Sequence, residues 1–151
     1  MADIDKNEVV AQLNRILESE LAGVVRYTHY SFMVFGYGRI PIVSWLRAQA
    51  TESMRHAEEA GEMITSMGAH PSLGIGQLLE THKHDIGDIL REAMENEREG
   101  LALYEQLLGM VEGRDVTLEE YARTMVHEEQ RHLWEVDKML RKPGDIEAFH
   151  S

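Results

Sequence analysis

Met125-Val126-His127-Glu128-Glu129-Gln130-Arg131-His132-Leu133-Trp134-Glu135-Val136 decides the fold. Glu129 and His132 fall on one helical stripe with Leu118, Ala122, Met125, Val136 and Met139. A carboxylate and an imidazole one turn apart on a core-facing stripe are costly to bury, and a metal ion offsets that cost well. Such a stripe also has to be covered by other helices, so the rest of the chain should supply them.

It does. Gly36-Tyr37-Gly38 with Pro41 marks a short turn, and Gly113-Arg114-Asp115 marks a second. Thr117-Leu118-Glu119-Glu120 has the form of a capping box, with Thr117 as N-cap, and Pro143-Gly144 stops the last helix. The longest irregular stretch runs from Gly68 to about His82 and holds Pro71, Gly74 and Gly76. Helices are therefore expected over about 5–35, 40–67, 84–112 and 117–141. The other three carry seams like that of the fourth: Leu13, Leu17, Glu20 and Tyr27; Leu46, Ser53, His56 and Ala60; Ala93, Glu97, Tyr104 and Leu107.

Short turns make helices one and two antiparallel, and likewise three and four. A helix of this length spans ~42 Å, and about fourteen connecting residues reach at most ~46 Å, so the middle connection is long enough to cross the bundle. The expectation is an all-α, antiparallel four-helix bundle with one long crossover between helices two and three, residues 1–151 forming one domain.

Composition narrows the function. The 151 residues carry a net charge of −12 and no basic stripe, which argues against nucleic acid as a partner. With no cysteine, thiolate zinc and iron–sulfur chemistry are excluded. The first ten residues show no secretory signal, and no apolar run reaches the ~20 residues of a membrane span, so a cytoplasmic location is expected.

The four seams place polar groups in one layer: Glu20, Ser53, His56, Glu97, Glu129 and His132. Three glutamates facing one another repel, and a pair of divalent cations removes that repulsion. The di-iron and di-manganese bundle pattern is one Glu from each of two helices and Glu-x-x-His from each of the others. Glu20, Glu97 and Glu129-x-x-His132 match it, whereas helix two offers His56 with Ser53 in place of the carboxylate. Glu52 lies about 40° around the helix from His56, within reach if it swings in or a π-bulge turns it inward. On helix two a further stripe, Val43, Ala50, Met54, Ala57, Gly61 and Ile64, suits a two-fold dimer face. His70, His82 and His84 read as solvated loop residues, and His29, His127 and His150 have no assigned role.

At these residues the chain resembles the bacterioferritins. The carriers are Leu13 to Leu21 with Tyr27, Met54-Arg55-His56-Ala57, Glu97-Arg98-Glu99-Gly100 and Glu128 to His132, in order along nearly the whole chain. The resemblance implies a ferritin-like bundle whose dinuclear iron ligands are Glu20, His56, Glu97, Glu129 and His132, with Glu52 as the candidate to replace what Ser53 lacks. It also implies haem b held by Met54 between two subunits. Asp145 to Ser151 leave little room for the fifth helix of a ferritin cage, so a homodimer or another homo-oligomer is expected.

The function so implied is oxidation of Fe(II) by dioxygen or peroxide for storage or detoxification, with Tyr27 placed to donate a hydrogen bond or an electron. Three readings stand beside it. One is a haem- or metal-binding subunit with weak ferroxidase activity that assembles with a complete subunit. Another is a di-manganese or other di-metal oxidoreductase, because ligand identity alone does not separate manganese from iron. The last is a helical interaction module without metal.

Overall fold

The computed structural model describes residues 3–149, so His150 lies outside it. Four helices follow in order: α1 Lys6–Phe32, α2 Arg39–Ser66, α3 Ile86–Val111 and α4 Val116–Leu140. Among the described residues there is no strand, in keeping with the all-α expectation. Among the described residues no helix is long and apolar enough to cross a membrane.

Local chemistry sets the helix ends. Asp5 and Asp85 cap α1 and α3, their carboxylates accepting from the N–H groups of Glu8 (3.2 Å) and Gly87 (3.0 Å). At α4 the expected cap is corrected: Asp115, not Thr117, accepts the N–H of Leu118 at 2.9 Å. Gly113, at φ 73°, turns the chain so that Asp115 enters the helix in an extended conformation. The carboxylate of Glu119, not that of Glu120, reaches back to the Gly113 N–H at 2.6 Å.

Helix α1 packs against α2 and α3, and α3 against α4. Gln12 donates to the Leu103 carbonyl at 2.8 Å, whereas Tyr30, later on α1, accepts from Asn96, earlier on α3, at 3.2 Å. The two helices are therefore antiparallel, α2 and α3 run the same way, and the connection between them has to travel the length of the bundle. It does so along α1. The Ser72 N–H donates to Asn14 (2.7 Å), the Gly76 N–H to the Glu18 carbonyl (2.8 Å), and Arg26 to the Gln77 carbonyl. A Cβ at Gly76 would stand 3.2 Å from that Glu18 carbonyl, so a larger residue there would have to lift the strap from α1 by a few tenths of an ångström.

The core is unequal at its two ends. At one end all four helices share a cluster that includes Leu13, Ile16, Ala60, Ile64, Leu107, Val111, Ala122 and Met125. At the other, Tyr27, Tyr30, Leu46 and Ile89 form one group and Leu90, Met94 and Val136 a second. The second stripe of α2 is also corrected. Val43, Ala50, Ala57 and Ile64 are buried inside the bundle, leaving Met54 exposed and Gly61 half-buried. Gly23 explains the close approach of α1 and α2, since a Cβ there would meet Ser53 Oγ at 3.0 Å.

Candidate metal centre

Between the two ends of the core lies the polar layer. Glu20, His56, Glu97 and Glu129 are all buried, each at most 8% exposed, and His132 is nearly so. His56 Nδ1 stands 3.6 Å from Glu20 and 3.6 Å from Glu129. His132 Nδ1 stands 3.7 Å from Glu97 and 3.9 Å from Glu129. Two three-residue groups result, Glu20–His56–Glu129 and Glu97–Glu129–His132, the ligand atoms within each lying inside 4.8 Å of one another. They share Glu129, and the two imidazoles stack at 6.3 Å.

The arrangement has an approximate two-fold symmetry. Tyr104 on α3 donates to Glu20 on α1 at 3.0 Å, and Tyr27 on α1 donates to Glu97 on α3. On the outer side, Glu52 of α2 lies 3.0 Å from His132 Nε2, while Glu128 of α4 lies 2.9 Å from His56 Nε2. Each of these carboxylates thus braces the imidazole of the opposite helix. By this symmetry Glu52 is the counterpart of Glu128, and Ser53 the counterpart of Glu129. Glu52 therefore does not swing into the layer, and α2 continues as a regular α-helix through it without a π-bulge. Ser53 instead lines a cavity of about 30 Å³ together with Glu20, Arg26, Tyr27, Glu97 and Glu129.

Burial and crowding set the protonation of the layer. Burial pushes Glu129 well above the usual carboxylate range, and the charges of Glu97 and Glu20 push it further. Burial raises Glu20 as well. Glu97 goes the other way, to about 2: burial opposes its charge, but hydrogen bonds from Glu129, His132 and Tyr27 outweigh that cost. Burial works against protonated His56 and His132, yet Glu20 and Glu128 raise the first and Glu97 and Glu52 the second. Protons thus hold together a set of groups that would otherwise repel. Divalent cations can replace them, because imidazole Nδ1 atoms and carboxylate oxygens already converge and outer carboxylates orient both rings.

Solvent reaches the layer between α2 and α4. No Cα atom of α2 comes within 8 Å of one in α4, and a cleft of about 590 Å³ opens there, lined by Gln49, Glu52, Glu128, Arg131, His132 and Trp134. Glu52, His56 and Glu128 form a further convergent group on this outer side. Met54 lies away from the layer, 41% exposed, beside a surface groove with Val24, Arg47 and Ala50.

The structure brings together Glu20, His56, Glu97, Glu129 and His132, the residues that the sequence pattern placed in one layer. Sequence reasoning missed the brace formed by Glu128 and the pairing of Tyr104 with Glu20. The signal was present as a repeat: Glu is followed seven residues later by Tyr on both α1 and α3, and four residues later by His at Glu52 and at Glu128.

Comparison with known proteins gives the family and the fold. The family model described as Ferritin-like domain matches residues 10–144. Bacterioferritin of Mycobacterium bovis and bacterioferritin BfrA of Mycobacterium tuberculosis are each 30% identical over 135 residues, 83% of this chain and 79% of theirs. A ferritin-like, diiron-carboxylate protein of Bacillus anthracis superposes with a TM-score of 0.85 at 23% identity, over 93% of this chain and all of that one. The bacterioferritin-related dodecameric thioferritin of Bacteroides fragilis gives 0.85 at 20% identity, covering 91% and 87%. The Rhodobacter capsulatus bacterioferritin, solved with a metal-free dinuclear site and heme iron, gives 0.82 at 20%, covering 92% and 86%.

Proposed function

This chain belongs to the ferritin-like domain family, with bacterioferritins among its relatives, and on that premise we propose that it takes up Fe(II) inside the bundle and oxidises it for storage or detoxification. The observation that carries the reading is the pair of three-residue groups joined through Glu129. Glu20, His56 and Glu129 would hold one ferrous ion, and Glu97, Glu129 and His132 the other. Each entering ion displaces protons held by Glu129 and the two imidazoles. Two ferrous ions give two electrons to dioxygen, which leaves with two protons as peroxide. When peroxide is the oxidant, two electrons and two protons yield two waters.

The chain's part is to fix the ligands and keep coordination positions open. Glu52 and Glu128 hold the rings so that both Nδ1 atoms face inward. Tyr27 orients Glu97 by donating to it. The cleft between α2 and α4 provides the path from solvent. The test is oxidation of added Fe(II) under air, with about two irons consumed per chain in the fast phase. If Glu129→Ala and His132→Ala leave iron content and oxidation rate unchanged, the reading fails.

One observation favours a second reading. Ser53 stands where symmetry asks for a second shared carboxylate, and Glu52 is engaged elsewhere, so the pair of ions would share one anionic ligand fewer than the pattern provides. A chain of this kind would bind iron, oxidise it slowly and work beside a complete subunit in a homologous assembly. Slow oxidation by the pure protein, restored in mixed assemblies, distinguishes this reading from the first. Haem belongs to the same question. Met54 is exposed and its groove carries Arg47 and Arg55, so two copies facing each other would present paired thioethers with cations for haem carboxylates. A Soret band on haem addition, lost in Met54→Ala, is the expected outcome. Iron and manganese are separated by the metal content of protein purified without added metal.

A further inference from the structure

The strap between α2 and α3 brings two residues of its own, four positions apart, against a third from α1. His29 comes from α1, Glu80 from the strap, and His84 from just before α3. His29 Nε2 lies 2.7 Å from one oxygen of Glu80, and His84 Nε2 lies 3.3 Å from the other. All three ligand atoms fall within 4.8 Å of one another. None of these residues belongs to the bundle's polar layer.

Two details separate this group from a chance surface ion pair. Glu80 Oε2 and His84 Nε2 are shut off from solvent, and neither has a well-aligned hydrogen bond, although His29 stands 2.7 Å from the first. His29 and His84 approach the Glu80 carboxylate at ion-pair distance, and a cation bound among the three would satisfy both enclosed atoms. The carboxylate is also held in place: the His82 N–H donates to Glu80 Oε1 at 2.6 Å, made possible by the left-handed backbone of His82 at φ 60°. A tetrahedral ion with bonds of about 2.0–2.2 Å separates its ligand atoms by about 3.4 Å, so small side-chain rotations suffice.

We propose that His29, Glu80 and His84 form a second cation site, outside the bundle, for a divalent transition ion of borderline character such as Zn²⁺ or Fe²⁺. Two imidazoles and one carboxylate suit such ions and disfavour Mg²⁺ and Ca²⁺, which take oxygen ligands. The ion fastens the strap to α1 and to the start of α3 at the point where the crossover ends. A fourth position stays open to water, because only three protein ligands converge.

Zn²⁺ alone is the probe. Equilibrium dialysis of the native chain and of the His29→Ala/His84→Ala variant should show a difference of one bound Zn²⁺ per chain, with circular dichroism unchanged. The bundle's own ligands are intact in both proteins, so their failure to bind lowers both stoichiometries equally and leaves the difference. A second measurement needs no variant. Zn²⁺ should protect His29 and His84 from carbethoxylation by diethyl pyrocarbonate, resolved by peptide mass spectrometry, while His70 and His82 stay reactive. Equal Zn²⁺ stoichiometry in the two proteins, or unprotected His29 and His84 at saturating Zn²⁺, overturns the proposal.

Discussion

At the scale of single residues, the layer is a set of groups that exchange protons for cations. Tyr27 shows the size of one such contact. Its ring packs edge-on to Tyr30 and Trp45, and its hydroxyl serves a Glu97 held ionised. Tyr27→Phe keeps the packing and removes the donor, so the metal-free protein should lose about 1.5–3 kcal/mol in urea denaturation, the range for hydrogen bonds to charged groups. The pH dependence has a definite sign. His56 and His132 are raised above 6.5, so their contribution is fully present below that value and is lost as pH rises through their folded values. Glu129, raised above 4.5, acts in the same direction because the folded state keeps a proton that the unfolded chain releases. Glu97, lowered to about 2, is the opposite case: its contribution is present above 4.5 and lost as pH falls toward 2. The thermal midpoint of the metal-free protein should therefore fall as pH is raised above 6.5. With saturating Mn²⁺ it should rise instead, since cations replace the protons.

At the scale of elements, the four helices were legible because each repeats a seam of apolar residues, and the observed ends lie within three residues of the expected ones. The N-cap of α4 was not, because Asp115 and Thr117 both fit the pattern and only the turn at Gly113 decides between them. Asp115→Ala should cost about 1 kcal/mol in thermal or urea unfolding, and Thr117→Ala clearly less. The direction of Glu52 was equally hidden. Sequence spacing places it near His56, but whether it turns inward depends on the imidazole of α4, a partner 80 residues away. The group at His29, Glu80 and His84 is missed for the same reason, since the path of the strap follows from backbone contacts with α1. Ser53 carries the sharpest element-scale prediction. Ser53→Glu would restore the carboxylate that the two-fold pattern lacks, at a position that lines the small cavity of the layer. Fe(II) bound per chain at limiting concentration should increase; an unchanged titration would show that the α2 side does not limit binding.

At the scale of the whole molecule, two helical hairpins meet, and the strap ties them along α1. The hairpins share apolar packing among all four helices at one end only. Across the middle, α2 and α4 are joined by the braces from Glu52 and Glu128 and by the ion pair of Arg55 with Glu128, with the cleft between them. That spacing has a consequence for how the protein breathes. A seam closed by side chains that change charge state opens more often when those charges change, whereas apolar seams do not respond. Amide exchange at mid-α2 and mid-α4 should therefore be faster in the metal-free protein at high pH and slow sharply on loading, while amides near Leu13 and Leu107 hardly change. The gap between α2 and α4 then acts as a gauge, turning occupancy at the centre of the bundle into a rate measurable at its surface.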